Sequence, residues 1–453
     1  MYSRKIAWNV LNREEIEAFA RDYINFINAA KTEREVVDAL VNYATKRNFK
    51  KLEEVTSIKP GDRVYSTFKN KTAIFAVIGR KSLKDGVRLI AAHGDSPRLD
   101  PKPLPIMEDT DAQLALLNIG FYGGIVTYHW VNIPLELRGI VATKKGIKKI
   151  RIPNLIITDL LPHLSKKKFA ERKGSEVVKG EELKILIANI PVKEEKGYSW
   201  KSHVLKILAE KYDIEEEDFI SADLEIVPAL EAREIGFDSS MIAAYGHDDR
   251  VCVYTGFRAF IDLEETEYTR VFWVVDKEEI GSEANTSAQS EFFKYFIAKL
   301  LELSGEYSEI AFRECLLKTK AVSADVTAVI NPVFKNEIYD VDNAARMGSG
   351  VVLEKYSSAA GKSGANEAHA EFIAWLRKIL DEHNIPWQPG LFISKAEKGI
   401  GGGGTISKFM ARMGMDVVDM GVGLLGMHSP YEVASKADIF SAYKAYKAFY
   451  EKS

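Results

Sequence analysis

The sequence predicts an α/β protein in which one large domain is interrupted by a β-rich insert. Strand-length apolar runs alternate with helical periodicity toward both ends of the chain, the middle stretch changes to short β-like runs and glycine turns, and polar residues capable of chemistry follow directly on the apolar runs. The expected limits are 1–102 and 239–453 for the discontinuous α/β domain and 103–238 for the insert. A chain of 453 residues exceeds what one hydrophobic core usually serves, which favours such a division.

Taken in order, the first fifty residues read as two helices. The second opens at Thr32 with Glu35 three positions on, the capping-box spacing that satisfies orphan amides, and Val36, Val37, Leu40 and Val41 recur at helical period. After a turn at Pro60-Gly61-Asp62 come strand-like runs at 72–78 and 87–92, the second ending in His93-Gly94-Asp95-Ser96-Pro97. Within the insert one helix is expected near 202–212. The charge runs Lys144–Lys149 and Glu215–Asp218 read as solvated turns rather than binding patches. Beyond the insert, strands are expected at 270–276, 321–324 and 416–421, and helices at 290–303, 367–381 and 437–450.

Composition narrows the function. Hydrophobic residues make up 46% and charged residues 28%, with net charge −3, so neither a disordered chain nor a strongly basic nucleic-acid binder is expected. No apolar run reaches the ~20 residues of a membrane span, and the N-terminus runs into charged helical sequence, so a cytoplasmic protein with neither membrane nor nucleic-acid partner is expected. Cys252 and Cys315 are too few for a disulfide framework or a thiolate zinc site, so any metal must be held by oxygen and imidazole.

Five segments supply those ligand types. In His93-Gly94-Asp95, His93 can ligate while Asp95 orients its ring. In His247-Asp248-Asp249-Arg250, adjacent carboxylates repel unless a cation intervenes, and one of them can bridge two metals; paired acids at a helix start are the plainer reading. In Asp276-Lys277-Glu278-Glu279, one glutamate can bind metal while the other acts as base; a solvated charged turn is the plainer reading there. Asp325 in Ser323-Ala324-Asp325 and His428 in Met427-His428-Ser429-Pro430 complete the set. Each segment alone is a weak signal, whereas together they match a dinuclear centre bridged by a carboxylate. His129, His163, His203, His247, His369 and His383 show no such setting from spacing and default to surface or core roles. The run Gly401-Gly402-Gly403-Gly404-Thr405 lacks the ending of a Walker A loop and suits close backbone approach instead.

At these residues the chain resembles the aspartyl aminopeptidase/aminopeptidase I family of dizinc exopeptidases, more closely its bacterial branch. The likeness runs through HGDSPRLDPKP (93–103), YGGIVTYHWVNIP (122–134), DLLPHL (159–164), YGHDDRVC (245–252), DKEEIGS (276–282), SADV (323–326), GKSGA (361–365), GGGGTI (401–406) and MHSP (427–430). It implies a mixed-sheet α/β/α zinc-exopeptidase domain whose insert mediates dimer contacts within a large, dodecameric homo-oligomer. It also implies that His93 and Asp325 hold one metal and Glu279 and His428 the other, with Asp248 bridging and Glu278 as general base. His163 looks like the insert histidine that reaches a neighbouring subunit's site in some members. Zinc is the implied cofactor, two ions per chain, with cobalt or manganese as alternatives. Gly94 and Ala328 depart from the family pattern, at positions usual for threonine and, in many eukaryotic members, histidine. The substrates implied are peptides with a free N-terminus and an acidic or neutral first residue; Lys355, Lys362 or Lys395 are candidate partners for an acidic one. Two rival readings are a dimetal dipeptidase or deacylase and a non-catalytic shell-forming protein.

Overall fold

The computed structural model describes residues 3–195, 197–264, 267–356, 364–391 and 404–451. By its packing the chain divides into two compact units. One comprises the chain up to Asp95 with Ala232–Met427 and the stretch from Tyr431 on; the other comprises Ser96–Glu231 with His428–Pro430. The sequence-based limits of 103 and 238 therefore lie downstream of the structural ones. Strand pairing is the reason. The proline- and charge-rich start of Arg98–Asp109 reads as loop, yet Arg98 pairs with Tyr122 and Leu99 with Ile226 inside the insert's sheet. At the other end Arg233–Ile235 already pairs with Met241–Ala244 of the first unit.

The first unit is built on a nine-stranded mixed sheet in the order Lys50–Lys51, Arg63–Phe68, Thr72–Val77, Arg270–Val275, Arg88–His93, Lys320–Ser323, Asp416–Gly421, Val351–Glu354, Trp387–Gly390. Its central strands are buried on both faces, as parallel strands covered by helices must be. Alternate side chains feed two cores. Ile90, Ala92, Phe272 and Val274 pack with the helices Arg13–Ala29, His247–Ile261 and Lys436–Glu451. Leu89, Ala91, Val271, Trp273 and Val275 pack with Phe292–Leu303 and Glu309–Lys318 on the other face. Each large aliphatic or aromatic residue buried in this way contributes ~1.5–3 kcal/mol. A separate five-stranded sheet runs Arg233–Ile235, Met241–Ala244, Glu432–Ser435, Gly423–Leu425, Thr327–Ala328.

Local signals translate directly. Thr32 Oγ1 accepts from Glu35 N at 3.3 Å and Glu35 Oε2 accepts from Thr32 N at 3.2 Å, closing the capping box ahead of Glu33–Thr45. The N-terminal stretch nevertheless holds three helices rather than two, because a short turn at Ala7–Val10 precedes the others. The helix expected near 202–212 is Trp200–Ile207, continued by a π-helical turn over Leu208–Tyr212.

The insert carries a six-stranded antiparallel sheet, Gly146–Leu155, Leu135–Thr143, Ala222–Pro228, Arg98–Asp109, Leu114–Tyr122, Lys184–Ala188. Its charge runs meet one another. Lys144 pairs with Glu217 at 2.8 Å and Lys145 with Asp213 at 2.7 Å, exposed pairs that water and salt screen. Among the described residues no helix is long and apolar enough to cross a membrane.

Candidate active site

Arg88–His93 runs parallel to both Arg270–Val275 and Lys320–Ser323, so the carboxyl ends of three neighbouring strands open on one edge of the sheet. Ligand-binding residues gather at such edges because the chain leaves each strand there without having to continue the ladder. His93 is the last residue of its strand, Asp276, Glu278 and Glu279 follow the second, and Asp325 lies two positions past the third. Asp248 and Asp249 arrive from the start of His247–Ile261, which follows the strand Met241–Ala244.

These side chains converge. His93 Nε2 stands 3.2 Å from Asp248 Oδ1 and 3.8 Å from Asp325 Oδ1. Two sets of ligand atoms, each within 4.8 Å of one another, share His93: one adds Asp249 and Asp325, the other Asp248 and Glu279. The Nδ1 atom of His93 lies 3.1 Å from the Asp95 backbone carbonyl and 3.5 Å from Asp95 Oδ1. A carbonyl only accepts, so Nδ1 carries the proton and the ring is oriented by the backbone more closely than by the carboxylate. The Asp95 carboxylate instead accepts the amides of Glu278 and Glu279, one on each oxygen at 3.2 Å. That contact shapes the turn Glu278–Ile280, entered through Lys277 at φ 64°.

Electrostatics follow from crowding carboxylates away from water. Burial first, then neighbouring Glu278 and Asp248, push the Asp325 carboxyl well above its ordinary range; for Asp249 it is burial and then Asp325. Burial disfavours a charged His93, but Asp248 and Asp95 outweigh it and hold the imidazole well above its usual value. Glu278 is raised to about 7, chiefly by burial, with Asp95 and Asp248 adding to the rise and His93 and Lys408 opposing it. A divalent cation fits this cluster. Asp249 Oδ1 is buried with no hydrogen-bond partner among the described residues, and one imidazole with four carboxylates is a zinc-type donor set.

Sequence reasoning left Asp249 without a role and missed the grip of Asp95 on both glutamates. The adjacent-acid signal at 248–249 was visible, but nothing in it said that both carboxylates turn toward His93. His428 belongs to neither ligand set; it packs with the insert, its Nδ1 2.9 Å from the Gly124 carbonyl, at φ 64°. His163 is exposed on the helix Pro162–Phe169. At Gly94 an added Cβ would lie 3.2 Å from Val274 Cγ2, close enough that this methyl would have to shift slightly. Lys355 pairs with Glu367 at 3.6 Å, whereas Lys362, Lys395 and Gly401-Gly402-Gly403 lie outside the described residues.

A buried imidazole-carboxylate centre suited to divalent cations, at the strand ends of an α/β/α sheet and beside a further glutamate, defines a metallohydrolase. The family is then decided by comparison: the model of the aminopeptidase I zinc metalloproteases (M18) matches residues 26–450, and the chain belongs to that family. The probable M18 family aminopeptidase 1 of Thermotoga maritima is 43% identical over 458 residues, covering 99% of either chain. The crystal structure of an M18-family aminopeptidase from the same organism matches with a TM-score of 0.94 at 42% identity, over 100% of both chains. The Saccharomyces cerevisiae mApe1 dodecamer, 19% identical, shares the fold at a TM-score of 0.76 over 96% of this chain and 97% of that one. By family the chain is a peptide-bond hydrolase of the zinc aminopeptidase type.

Proposed function

We propose that the chain removes the first residue of peptides with a free N-terminus by means of two divalent cations, zinc foremost. The observation that carries this reading is the pair of overlapping ligand sets on His93, with Glu278 outside both. In this reading His93 and Asp325 would hold one ion and Glu279 the other, with Asp248 common to both; His428, outside both sets, would join Glu279 on the strength of the family motif alone. Such ions supply Lewis acidity toward a carbonyl and lower the pKa of water.

Glu278 takes the proton of the attacking water and delivers it to the leaving amine nitrogen, a task suited to a carboxyl raised to about 7. Asp95 keeps Glu278 and Glu279 in register through their amides. Surplus carboxylate charge at the centre attracts the α-ammonium group of the substrate and so confines cleavage to the first residue. Lys408, whose charge is felt at Glu278, is a further candidate cation for an acidic first side chain, beside Lys355, which pairs with Glu367. His163, exposed on the insert, is the proposed contribution to a neighbouring subunit's site, and the insert the proposed dimer contact within a larger homo-oligomer. The mApe1 dodecamer supports such an assembly. Cytoplasmic residence belongs to the same reading, supported by the two free, buried cysteines.

The test is an assay of metal-reconstituted protein, with bound ions counted per chain, on peptides of acidic and neutral first residue in free and N-acetylated form. Cleavage confined to free-amine peptides at two ions per chain is expected. Equal cleavage of the acetylated peptides would overturn the reading in favour of a deacylase or endopeptidase.

A further inference from the structure

His247, which its spacing alone consigns to the core, is wholly buried immediately before Asp248. Its Nε2 lies 3.1 Å from the carbonyl oxygen of Ile242. Because a carbonyl can only accept, Nε2 donates, and Nδ1 of the neutral ring accepts from the hydroxyl of Tyr23 at 2.7 Å. Tyr23 is itself fully buried, on the helix Arg13–Ala29, with its ring stacked against the imidazole at 5.7 Å. One side chain is thus tied at both nitrogens to two different elements.

Such a tie matters here because the backbone at this point has no regular structure of its own to hold it. Asp248 (φ −80°, ψ 107°) and Asp249 (φ −115°, ψ 26°) depart from helical geometry although they stand at the head of His247–Ile261. The helix ladder therefore does not fix the two carboxylates. External contacts do: Glu432 Oε2 accepts the amide of Asp248 at 3.0 Å, Asp249 Oδ2 accepts the amide of His93 at 3.3 Å, and the residue before them is clamped through its ring.

We propose that Tyr23 and His247 form a positioning pair that aims the carboxylates of Asp248 and Asp249 at the metal centre, an inference that rests on the ligand role proposed above for Asp248. Neither residue touches substrate or metal; they act through the backbone that carries the ligands. Outer partners of this kind set ligand direction, and their loss costs ~10–100-fold in metal affinity.

The test is Zn²⁺ affinity measured by competition with a chromophoric chelator, together with the melting temperature of the metal-free protein, in wild type, Tyr23→Phe, His247→Gln and Asp248→Asn. Tyr23→Phe keeps the ring and removes the hydroxyl. His247→Gln retains an amide donor for Ile242, and its one acceptor, Oε1, sits beside that donor rather than at the Nδ1 position that faces Tyr23. Both are expected to weaken Zn²⁺ binding ~10-fold or more while the metal-free protein stays folded at the assay temperature, its melting temperature lowered only by what one unpaired buried group costs. Wild-type affinity in both variants overturns the positioning role, as does an affinity loss seen only where the metal-free protein is already unfolding at the assay temperature. Undiminished Zn²⁺ binding by Asp248→Asn would instead defeat the ligand assignment itself.

Discussion

A methyl group added to Gly421 would lie 1.9 Å from the carbonyl oxygen of Asp325. The strand Asp416–Gly421 thus runs its backbone directly against the loop that presents a candidate ligand, and only a residue without Cβ permits that approach. Cys252 Sγ would lie 3.1 Å from the same added carbon.

Gly421→Ala is accordingly expected to destabilise the protein by ~1–3 kcal/mol through overpacking and to displace Asp325. Urea denaturation and metal titration read the two effects separately. A variant with wild-type stability and metal affinity would contradict the tight packing described.

Glu278→Gln preserves shape and removes the proposed base. Turnover should fall ~10²–10⁴-fold while bound metal per chain stays constant, measured by peptide hydrolysis beside elemental analysis. Retention of full activity would refute the role given to this side chain.

Asp95→Asn replaces one accepting oxygen by a donor, so one of the two amides it serves, Glu278 or Glu279, loses its partner. An unsatisfied buried amide costs ~1–3 kcal/mol, and the turn that carries base and ligand loosens. A lower kcat with the acidic limb of the pH profile moved to lower pH is the expected signature, because the Asp95 charge no longer adds to the rise at Glu278; unchanged kcat would show that the turn holds itself.

Asp438 accepts the amides of Gly348 and Gly350 at 2.7 Å each, yet burial pushes its carboxyl from 3.8 to about 7. Between those values the folded protein holds a proton that the unfolded chain has released. Stability from this group is therefore fully present below pH ~4 and declines by up to ~1.4 kcal/mol per pH unit as pH rises toward 7. In Asp438→Asn that slope should vanish, so the variant gains on wild type with rising pH in melting curves of the metal-free protein. Parallel profiles across that range would exclude the raised carboxyl.

The sequence made legible what depends on near neighbours. The Thr32–Glu35 cap spans only three positions of chain, and the apolar runs at Arg88–His93 and Arg270–Val275 state their burial in their composition. The ligand-type residues could also be found, because imidazole and carboxylate at strand exits stand out against apolar flanks. Asp249 could not be assigned, since its neighbour Asp248 has the same chemistry and only direction in space tells them apart.

By itself, then, the sequence determined the α/β class and the likeness to the zinc aminopeptidase family, both written in periodicity and residue identity over short spans. Tertiary structure alone decided the insert's limits at Ser96 and Glu231, the hold of Asp95 on two amides more than 180 residues away, and the clamp of His247 between Tyr23 and Ile242. The reason is physical: strand pairing and hydrogen-bond direction depend on which distant groups folding brings within about 3 Å, and no local pattern records that.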